Sequence, residues 1–277
     1  MLQLSLVIVS GFAPSRSAFL RFEPQVLKVA SASSTEGKKD AEVTPSTVFG
    51  RPLNEETKKM NRKLVHSLKS LIFDNLFAEE TIERAAARFY CLETIARMPY
   101  FSYLSVLHLY ETLGWWRKAE YLKIHFSETW NELHHLLIME EMGGSKRFAD
   151  RFVAQHVAFF YYWAAIGLYM HNPSLAYNVN QAVEEEAYET YDKFLVKNES
   201  FLKARPATPT AKNYYRDGDL YMFDTMQTST DRCEQEKRRP QMDTLYDVFV
   251  AIRDDEREHV KTMAYLQTPH DDEVCEL

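Results

Sequence analysis

Two copies of a Glu-x-x-His pattern contain the residues of this sequence that are best suited to chemistry. Glu132 and His135 form the first copy, and Glu256 and His259 form the second. Residues three apart lie on one face of an α-helix, so the carboxylate and imidazole of each copy can bind the same metal ion. One pair alone is weak evidence, because a chain with nine histidines contains about one by chance. The alternative for each pair is a solvated acid beside a surface histidine.

The helical faces that carry these pairs are partly apolar, which favours burial. Met139 lies on the face of Glu132, and Met263 lies on the face of Glu256. A buried carboxylate without a partner is strongly unfavourable, so each of these acids needs a partner or a metal ion.

Two further acids lie in apolar surroundings on other predicted helices. Glu93 occurs in FYCLETIA, and Glu184 begins the acidic triplet of QAVEEEAYETY. Two helices with Glu-x-x-His and two with a single Glu together provide six ligands, as in carboxylate-bridged di-iron sites of four-helix bundles. Carboxylate and imidazole ligands suit iron or manganese. The sequence therefore predicts an all-α, ferritin-like four-helix bundle that holds a di-iron carboxylate site.

Helical periodicity predicts the elements that position these acids. The last of the six predicted segments is uncharged and strongly aromatic. The segments are residues 62–77, 79–111 with a bend at Pro99, 115–142 ending at Gly143 and Gly144, 174–196, 245–267, and 152–170.

The composition agrees with an acidic helical protein and excludes several classes. The 277 residues include 33 basic and 40 acidic side chains, and a net charge of −7 argues against a nucleic-acid binder. Only eight glycines argue against a barrel or a glycine-rich nucleotide fold. Cys91, Cys233 and Cys275 are too few and too scattered for a disulfide scaffold. The sequence contains no CxxC motif, which argues against a zinc ribbon.

Residues 152–170 have three alternatives from composition alone. The 19 residues contain no charge, which meets the length for a membrane span, yet Tyr and Trp prefer the membrane interface. The segment can be a buried core helix, a span, or a helix lying in one leaflet.

Two regions fall outside the predicted bundle. Residues 1–45 combine an apolar start with a Ser- and Ala-rich continuation, which predicts a targeting presequence; a disordered tail is the alternative. The step GFAPS resembles the cleavage motif of presequences that enter complex plastids. Residues 46–277 form the predicted di-iron domain, in which residues 203–240 are a polar insertion between the last two helices.

Four long stretches resemble, in order and spacing, the motifs of the alternative oxidases: RFYCLETIA, NELHHLLIMEEMGG, VEEEAYETY and RDDEREH. The closer resemblance is to the plastid branch, the plastid terminal oxidases. It rests on HFSETWNELHHLLIMEEMGG, NYYRDGDLYMFD and LYDVFVAIRDDE, and the second of these lies in the insertion, where the mitochondrial branch has no counterpart. The resemblance covers residues 54–267.

This resemblance implies specific roles for the acids and histidines. It implies two iron ions held by Glu93, Glu132, His135, Glu184, Glu256 and His259, with Glu132 and Glu256 bridging the metals. It also implies that Tyr191 is the essential redox tyrosine. Tyr191 lies seven residues after Glu184, two turns along the same face, and its alternative is a core tyrosine.

Further positions follow from the same resemblance. A quinol pocket is implied at Arg88, Leu92, Val183 and Thr190, although leucine is usual at the position of Val183. Asn131 and Asp255 match groups that hydrogen-bond to the metal ligands, and ordinary helix-surface polarity is their alternative. The family's regulatory N-terminal cysteine has no counterpart, because no cysteine precedes Cys91.

The expected function is a membrane-associated quinol oxidase that oxidises plastoquinol and reduces dioxygen to water without proton pumping. The family is monotopic, so residues 62–77 and 152–170 are expected to lie in one leaflet of the lipid surface. A homodimer or higher homo-oligomer on the stromal side of the thylakoid membrane of the plastid (chloroplast) is implied. The alternatives are another ferritin-like di-iron protein, such as a lipid hydroxylase, or a non-enzymatic iron-binding bundle, which has little use for an uncharged aromatic helix.

Overall fold

The computed structural model describes residues 53–77, 81–115, 118–217 and 240–268. In these ranges the secondary-structure elements are helices, without a β-strand. The prediction of an all-α fold is confirmed. The predicted presequence and most of the insertion lie outside the described residues. The helices are α1 Glu55–Lys69, α2 Ile82–Ala96, α3 Met98–Thr112, α4 Ala119–Glu141, α5 Phe148–His171, α6 Pro173–Lys203 and α7 Leu245–Tyr265.

Side-chain caps begin several of these helices. The Thr81 hydroxyl accepts a hydrogen bond from the backbone of the first turn of α2, and Asn172 does the same for α6, which has Pro173 as its first residue. Thr244 and Asp247 form a reciprocal capping box at the start of α7. These caps fix where the ligand-bearing helices start.

The predicted helix over residues 79–111 is two helices in the structure. The break between α2 and α3 lies at Arg97, and Pro99 lies in the first turn of α3. Proline lacks a backbone N–H and its ring clashes with the carbonyl four residues earlier, so the chain breaks just before it. The bend therefore falls two residues before the proline that the sequence singled out.

The ends of two helices, α1 and α6, also differ from the sequence prediction. α1 begins earlier, at Glu55, because Asn54 caps it, and a π-helical turn Ser70–Asp74 replaces its last predicted turns. α6 continues to Lys203 through a kink at Asn198, because Leu202 is buried in the core and holds the additional turns.

The pair of glycines after α4 ends that helix, as the sequence predicts. Gly143 has φ of +90°, a conformation that favours glycine. A Cβ on Gly144 would lie 2.4 Å from the carbonyl oxygen of Ala86. The backbone therefore approaches α2 more closely here than a residue with a side chain would allow. The turn thereby packs the end of α4 against the helix that carries Glu93.

The bundle consists of α2, α4, α6 and α7, with α1 packed on α6 and α5 packed on α2, α3 and α6. Its core has two apolar parts. We call Phe89, Tyr191, Phe194 and Phe249 the phenylalanine cluster. We call Tyr100, Tyr103, Tyr169 and Tyr177 the tyrosine cluster.

A layer of buried acids and histidines separates the two clusters. Along α6, Tyr177 comes first, Glu184 lies two turns later and Tyr191 lies two turns beyond that. Along α7, Phe249 precedes Glu256, and Met263 of the second apolar part follows it. The predicted ligands are therefore in the middle of the bundle.

The helix α5 is partly exposed, so the alternative of a buried core helix is wrong. Ala154, Ala158 and Ala165 face the bundle, whereas Phe159, Phe160 and Trp163 are each more than half exposed. Leu64 and Leu71 are exposed to a similar extent on α1 and the turn after it. Among the described helices, none combines the length and apolarity that crossing a membrane requires.

Candidate metal centre

The structure brings all six predicted ligands together in the polar layer, and every one of them has no solvent exposure. They form two groups of four, and within each group one possible ligand atom from each residue lies within 4.8 Å of the others. Both groups contain Glu132 and Glu256. The first group adds Glu93 and His135, and the second adds Glu184 and His259.

The two imidazoles contact carboxylates across α4 and α7. His135 Nδ1 lies 3.2 Å from Glu256 Oε1, and His259 Nδ1 lies 2.9 Å from Glu132 Oε1. Each histidine therefore points at the carboxylate of the opposite Glu-x-x-His pair. Two metal positions that share Glu132 and Glu256 follow directly from this arrangement.

The two unshared acids resist ionisation in the absence of metal. Burial raises the pKa of Glu93 well above its usual range, and the nearby Glu132 raises it further. Burial also raises the pKa of Glu184, with further contributions from Glu132 and Glu256. Burial is the larger cause for both acids, and mutual repulsion among the carboxylates adds to it.

The histidines and one shared acid shift in the opposite sense. Burial lowers the pKa of His135, but hydrogen bonds to Asp255, Glu256 and Glu93 outweigh burial and leave it well above the usual value. Burial raises the pKa of Glu256, yet hydrogen bonds from His135 and His259 outweigh it and leave a value of about 2. Both imidazoles thus hold protons that a metal ion would displace.

The donor set fits a pair of divalent cations. Within the described residues, the ion pairs of the four carboxylates are with two imidazoles, which leaves an excess of buried acid. Glu132 Oε2 lacks a hydrogen bond from any described residue. Buried charge of this kind is stable when it binds metal ions. A Glu from two helices and Glu-x-x-His from two others is the ligand set of di-metal carboxylate proteins.

A hydrogen-bond network holds the outer nitrogen of His135. Asp255 Oδ2 lies 3.2 Å from His135 Nε2, and it accepts hydrogen bonds from Asn131 at 2.8 Å and from the Tyr215 hydroxyl at 2.8 Å. The Tyr214 hydroxyl accepts a hydrogen bond from Asn131. Such partners orient a ligating imidazole. Asn131 and Asp255 thus lie where the resemblance places them, with Asn131 acting through Asp255.

The two tyrosines of this network belong to the segment predicted as a polar insertion. Tyr214 and Tyr215 are buried, and they form part of the π-helical turn Lys212–Asp217. Sequence reasoning missed them as site residues. The adjacent tyrosines, unusual in a polar stretch, were the available signal.

Tyr191 lies directly beside the ligands. Its hydroxyl donates a hydrogen bond to Glu93 Oε1, and its ring stacks on Phe89 with centroids 4.4 Å apart. Burial raises the pKa of Tyr191 well above its usual value, and the charge of Glu93 raises it further. The tyrosine is therefore held as a neutral phenol within the phenylalanine cluster.

A second tyrosine mirrors Tyr191, and sequence reasoning missed it. The Tyr100 hydroxyl donates a hydrogen bond of 2.7 Å to Glu184 Oε1, and the Tyr100 ring centroid lies 5.3 Å from that of His259. Tyr100 lies seven residues after Glu93, the same offset that separates Tyr191 from Glu184. That repeated offset was the signal that could have found it.

The four predicted quinol-pocket residues separate into two sets. Arg88 and Thr190 line a cavity of about 350 Å³ between α1, α2 and α6. Leu92 and Val183 do not line this cavity. The remaining lining is mostly basic and polar: His66, Lys69, Ser70, Asp74, Lys193, Phe194 and Lys197.

Comparison with known proteins finds a family that this chain matches. The family model described as alternative oxidase matches residues 41–268. Ubiquinol oxidase 4, chloroplastic/chromoplastic, of Arabidopsis thaliana is 56% identical over 197 residues, which are 71% of this chain and 54% of that protein.

The mitochondrial relatives are less similar. The mitochondrial ubiquinol oxidase of Mangifera indica is 27% identical over 177 residues, 64% of this chain and 48% of that protein. Ubiquinol oxidase 2 of Glycine max, also mitochondrial, is 29% identical over 134 residues, 48% of this chain and 40% of that protein. The chain spans about half the length of the curated relatives it matches. The resemblance seen in the sequence is confirmed: this chain belongs to the alternative oxidase family.

Proposed function

We propose that this chain is a membrane-associated quinol oxidase that transfers electrons from plastoquinol to dioxygen and forms water without pumping protons. The observation that carries this proposal is the pair of four-residue ligand groups that share Glu132 and Glu256. The family match and the ubiquinol oxidase named in Arabidopsis support the reaction class.

We propose iron as the metal, two ions per chain, with Glu132 and Glu256 bridging them. Glu93 and His135 complete one position, and Glu184 and His259 complete the other. When bound, the iron pair supplies the redox chemistry that reduces dioxygen. The protein positions the ligands, keeps water out through complete burial, and orients His135 through Asp255.

Tyr191 is placed to act as a hydrogen donor beside this centre. It is a neutral phenol in contact with Glu93, within a cluster of phenylalanines that excludes water. A phenol can release a proton and an electron together, whereas the phenylalanine that surrounds it can do neither. Reduction of oxygen to water consumes both.

The quinol head group is assigned to the cavity that Arg88 and Thr190 line. Thr190 precedes Tyr191 on α6, and Arg88 precedes Phe89 on α2, so the cavity adjoins the phenylalanine cluster. Leu92 lies one helical turn from Arg88 along α2, and Val183 lies two turns from Thr190 along α6. Each precedes a predicted ligand, where it would shape the inner end of the pocket.

Attachment to the lipid surface is assigned to α1 and α5. The exposed leucines of α1 and the exposed aromatic side chains of α5 suit an interfacial position in one leaflet.

The groove between α3 and α4, which Phe101 and Phe126 line, suits a second copy of the chain in a homodimer. Residues 1–45 as a presequence, together with the chloroplastic relative, support a plastid location on the stromal side of the thylakoid membrane.

Oxygen uptake by the purified, iron-loaded protein tests this function. We expect uptake with plastoquinol analogues, about two irons per chain, and no uptake with iron salts in place of quinol. Hydroxylation of a lipid without quinol oxidation would favour the hydroxylase alternative. Iron uptake without any quinol-dependent oxygen consumption would favour an iron-binding bundle.

A further inference from the structure

A second group of buried titratable side chains lies on the side of the site away from Tyr191. The Tyr169 and Tyr177 hydroxyls are 2.8 Å apart, and the Tyr177 hydroxyl lies 2.9 Å from His125 Nε2. His125 Nδ1 in turn lies 2.9 Å from Glu128 Oε2. All four side chains are at most 1% exposed. They form one continuous hydrogen-bonded chain, which none of the roles assigned above uses.

The inner end of this chain adjoins the metal ligands. His125 on α4 faces Tyr177 on α6, and farther along the same two helices Glu132 faces Glu184 in one ligand group. The two helices therefore run in the same direction across the core. Glu128 lies one helical turn, about 5.4 Å, before Glu132.

Asn180 occupies the matching level on α6. It lies three residues after Tyr177 and four before Glu184, and it has no exposure. Neither polar atom of its amide has a hydrogen-bond partner among the described residues, and the same holds for Glu128 Oε1. Three unpartnered polar atoms at one level provide the coordination that a buried water molecule needs. The gap between Glu128 and the ligand layer is therefore polar.

The outer end of the chain approaches the surface. Tyr121 belongs to the same buried cluster as Tyr169, and Tyr110 packs against that cluster. Tyr110 contacts Trp115, which is 62% exposed, with ring centroids 5.9 Å apart. The chain thus extends from near the solvent at the end of α3 to one helical turn from the metal ligands.

We propose that Tyr169, Tyr177, His125 and Glu128 form a proton relay that supplies the metal centre from the side opposite the quinol cavity. In one transfer, His125 gives its Nδ1 proton to Glu128 Oε2 and takes a proton at Nε2 from Tyr177. Tyr177 is reprotonated by Tyr169, Tyr169 takes its replacement proton from the solvent side at the end of α3, and Glu128 passes a proton toward the ligand layer. One proton moves inward, and no electron moves.

The types of side chain suit this role. A hydroxyl can donate and accept at the same time, and a histidine with both nitrogens engaged can receive a proton at one and release it at the other. Burial strongly raises the pKa of both tyrosines, so neither gives up a proton without receiving another, and the transfer is concerted. A core that needed only packing would not require an acid and a base at its centre.

Glu128→Gln tests the relay, because it keeps the shape and the hydrogen bond to His125 but cannot carry a proton. This experiment rests on the proposed quinol oxidase activity. We expect iron content and KM for quinol to remain unchanged, kcat to fall at least about tenfold, and the solvent deuterium isotope effect on kcat to rise. Glu120→Gln, on the exposed face of the same helix, is the matched control. Glu128→Asp should restore part of kcat.

Tyr177→Phe gives a readout that does not depend on turnover. It interrupts the chain one link farther from the ligands by removing one hydroxyl. Infrared spectroscopy can follow deuterium exchange at the His125 ring nitrogens, with His125→Gln assigning the band. We expect exchange to slow at least about tenfold in Tyr177→Phe.

The outcomes decide between the proposals. Unchanged exchange at His125 in Tyr177→Phe, or unchanged kcat and isotope effect in an iron-replete Glu128→Gln protein, would overturn the relay. If Glu128→Gln loses iron, exchange in Tyr177→Phe decides alone. A protein without quinol oxidase activity would refute the proposed function, and the exchange experiment would still settle the relay.

Discussion

The two tyrosines that donate hydrogen bonds to predicted carboxylate ligands have the same local geometry and opposite surroundings. Tyr191 donates a hydrogen bond to Glu93 among phenylalanines, whereas Tyr100 donates to Glu184 among tyrosines and beside His125. The first environment offers a phenol no further hydrogen-bond route. The second leads through hydrogen-bonded groups toward the surface. The difference indicates that one side of the centre is built for the exchange with quinol and the other for proton supply.

The largest effect should come from a residue that belongs to both sides. Glu256→Ala removes a ligand shared by the two groups and leaves His135 and His259 without their common carboxylate. We expect iron content to fall from about two per chain to nearly none, with complete loss of activity. Iron analysis and oxygen uptake measure this, with the exposed Glu199→Ala as the control. Full iron retention would remove Glu256 from the ligand set.

Removing each tyrosine hydroxyl tests the comparison itself. Tyr191→Phe should keep the fold and iron but lower kcat by about 100-fold or more, because the oxygen-reduction step loses its donor. Tyr100→Phe should lower kcat by about tenfold or less, because Glu184 keeps its other contacts. Steady-state oxygen uptake with iron-replete proteins measures both. An equal loss in the two variants would contradict the division between the sides.

A smaller and different effect should follow from Arg88→Ala. Arg88 lines the cavity, and its Nη2 lies 3.3 Å from Asp74 Oδ1. We expect KM for quinol to rise about tenfold, while the reduced iron centre still reacts once with oxygen. Comparing steady-state with single-turnover kinetics separates these effects. A lost single turnover with normal KM would place Arg88 at the metal side instead.

The smallest expected effect is on the stability of the contact between α6 and α1, the helix that covers the cavity. Burial raises the pKa of Glu186, but hydrogen bonds from Lys69 and His66 outweigh burial and hold that pKa below its usual value. The stability from this contact is therefore present above pH 4.5 and is lost as the pH falls through the folded-state value. The contribution is below about 1 kcal/mol, because Glu186 is not fully buried and its partner His66 is mostly exposed.

Acid unfolding of wild type and Glu186→Gln measures this contribution. The difference in unfolding free energy between them should shrink as the pH falls below 4.5. The fluorescence of a label on α1 should respond, whereas the tyrosine cluster should remain intact. A difference that grows on acidification would show that the ion pairs do not stabilise α1.

The sequence predicted the ligands because local rules determine them. The pair Glu132 and His135 shares a helical face with apolar residues, and that pattern needs only one helix to be recognised. Tyr100 and Tyr215 escaped prediction because their partners, Glu184 and Asp255, lie 84 and 40 residues away in the chain. Contacts over that separation depend on how helices pack, which no local period encodes.

The same reason explains the partial agreement at the cavity. Arg88 and Thr190 line it, but Leu92 and Val183 do not, because they lie one and two helical turns away along α2 and α6. Sequence resemblance identifies the helices that surround a pocket better than it identifies the depth of each residue within it. The break at Arg97 was likewise placed only to within two residues, because the proline effect extends over the preceding turn.

The site has an approximate twofold symmetry that the sequence does not display as a repeat. An axis between Glu132 and Glu256 would exchange α4 with α7, and it would exchange the Glu93–Tyr100 unit with the Glu184–Tyr191 unit. Each metal position then has an equivalent ligand set. Any difference in redox potential or oxygen affinity between the two positions must therefore originate outside the ligands, in the unequal media that the two clusters provide.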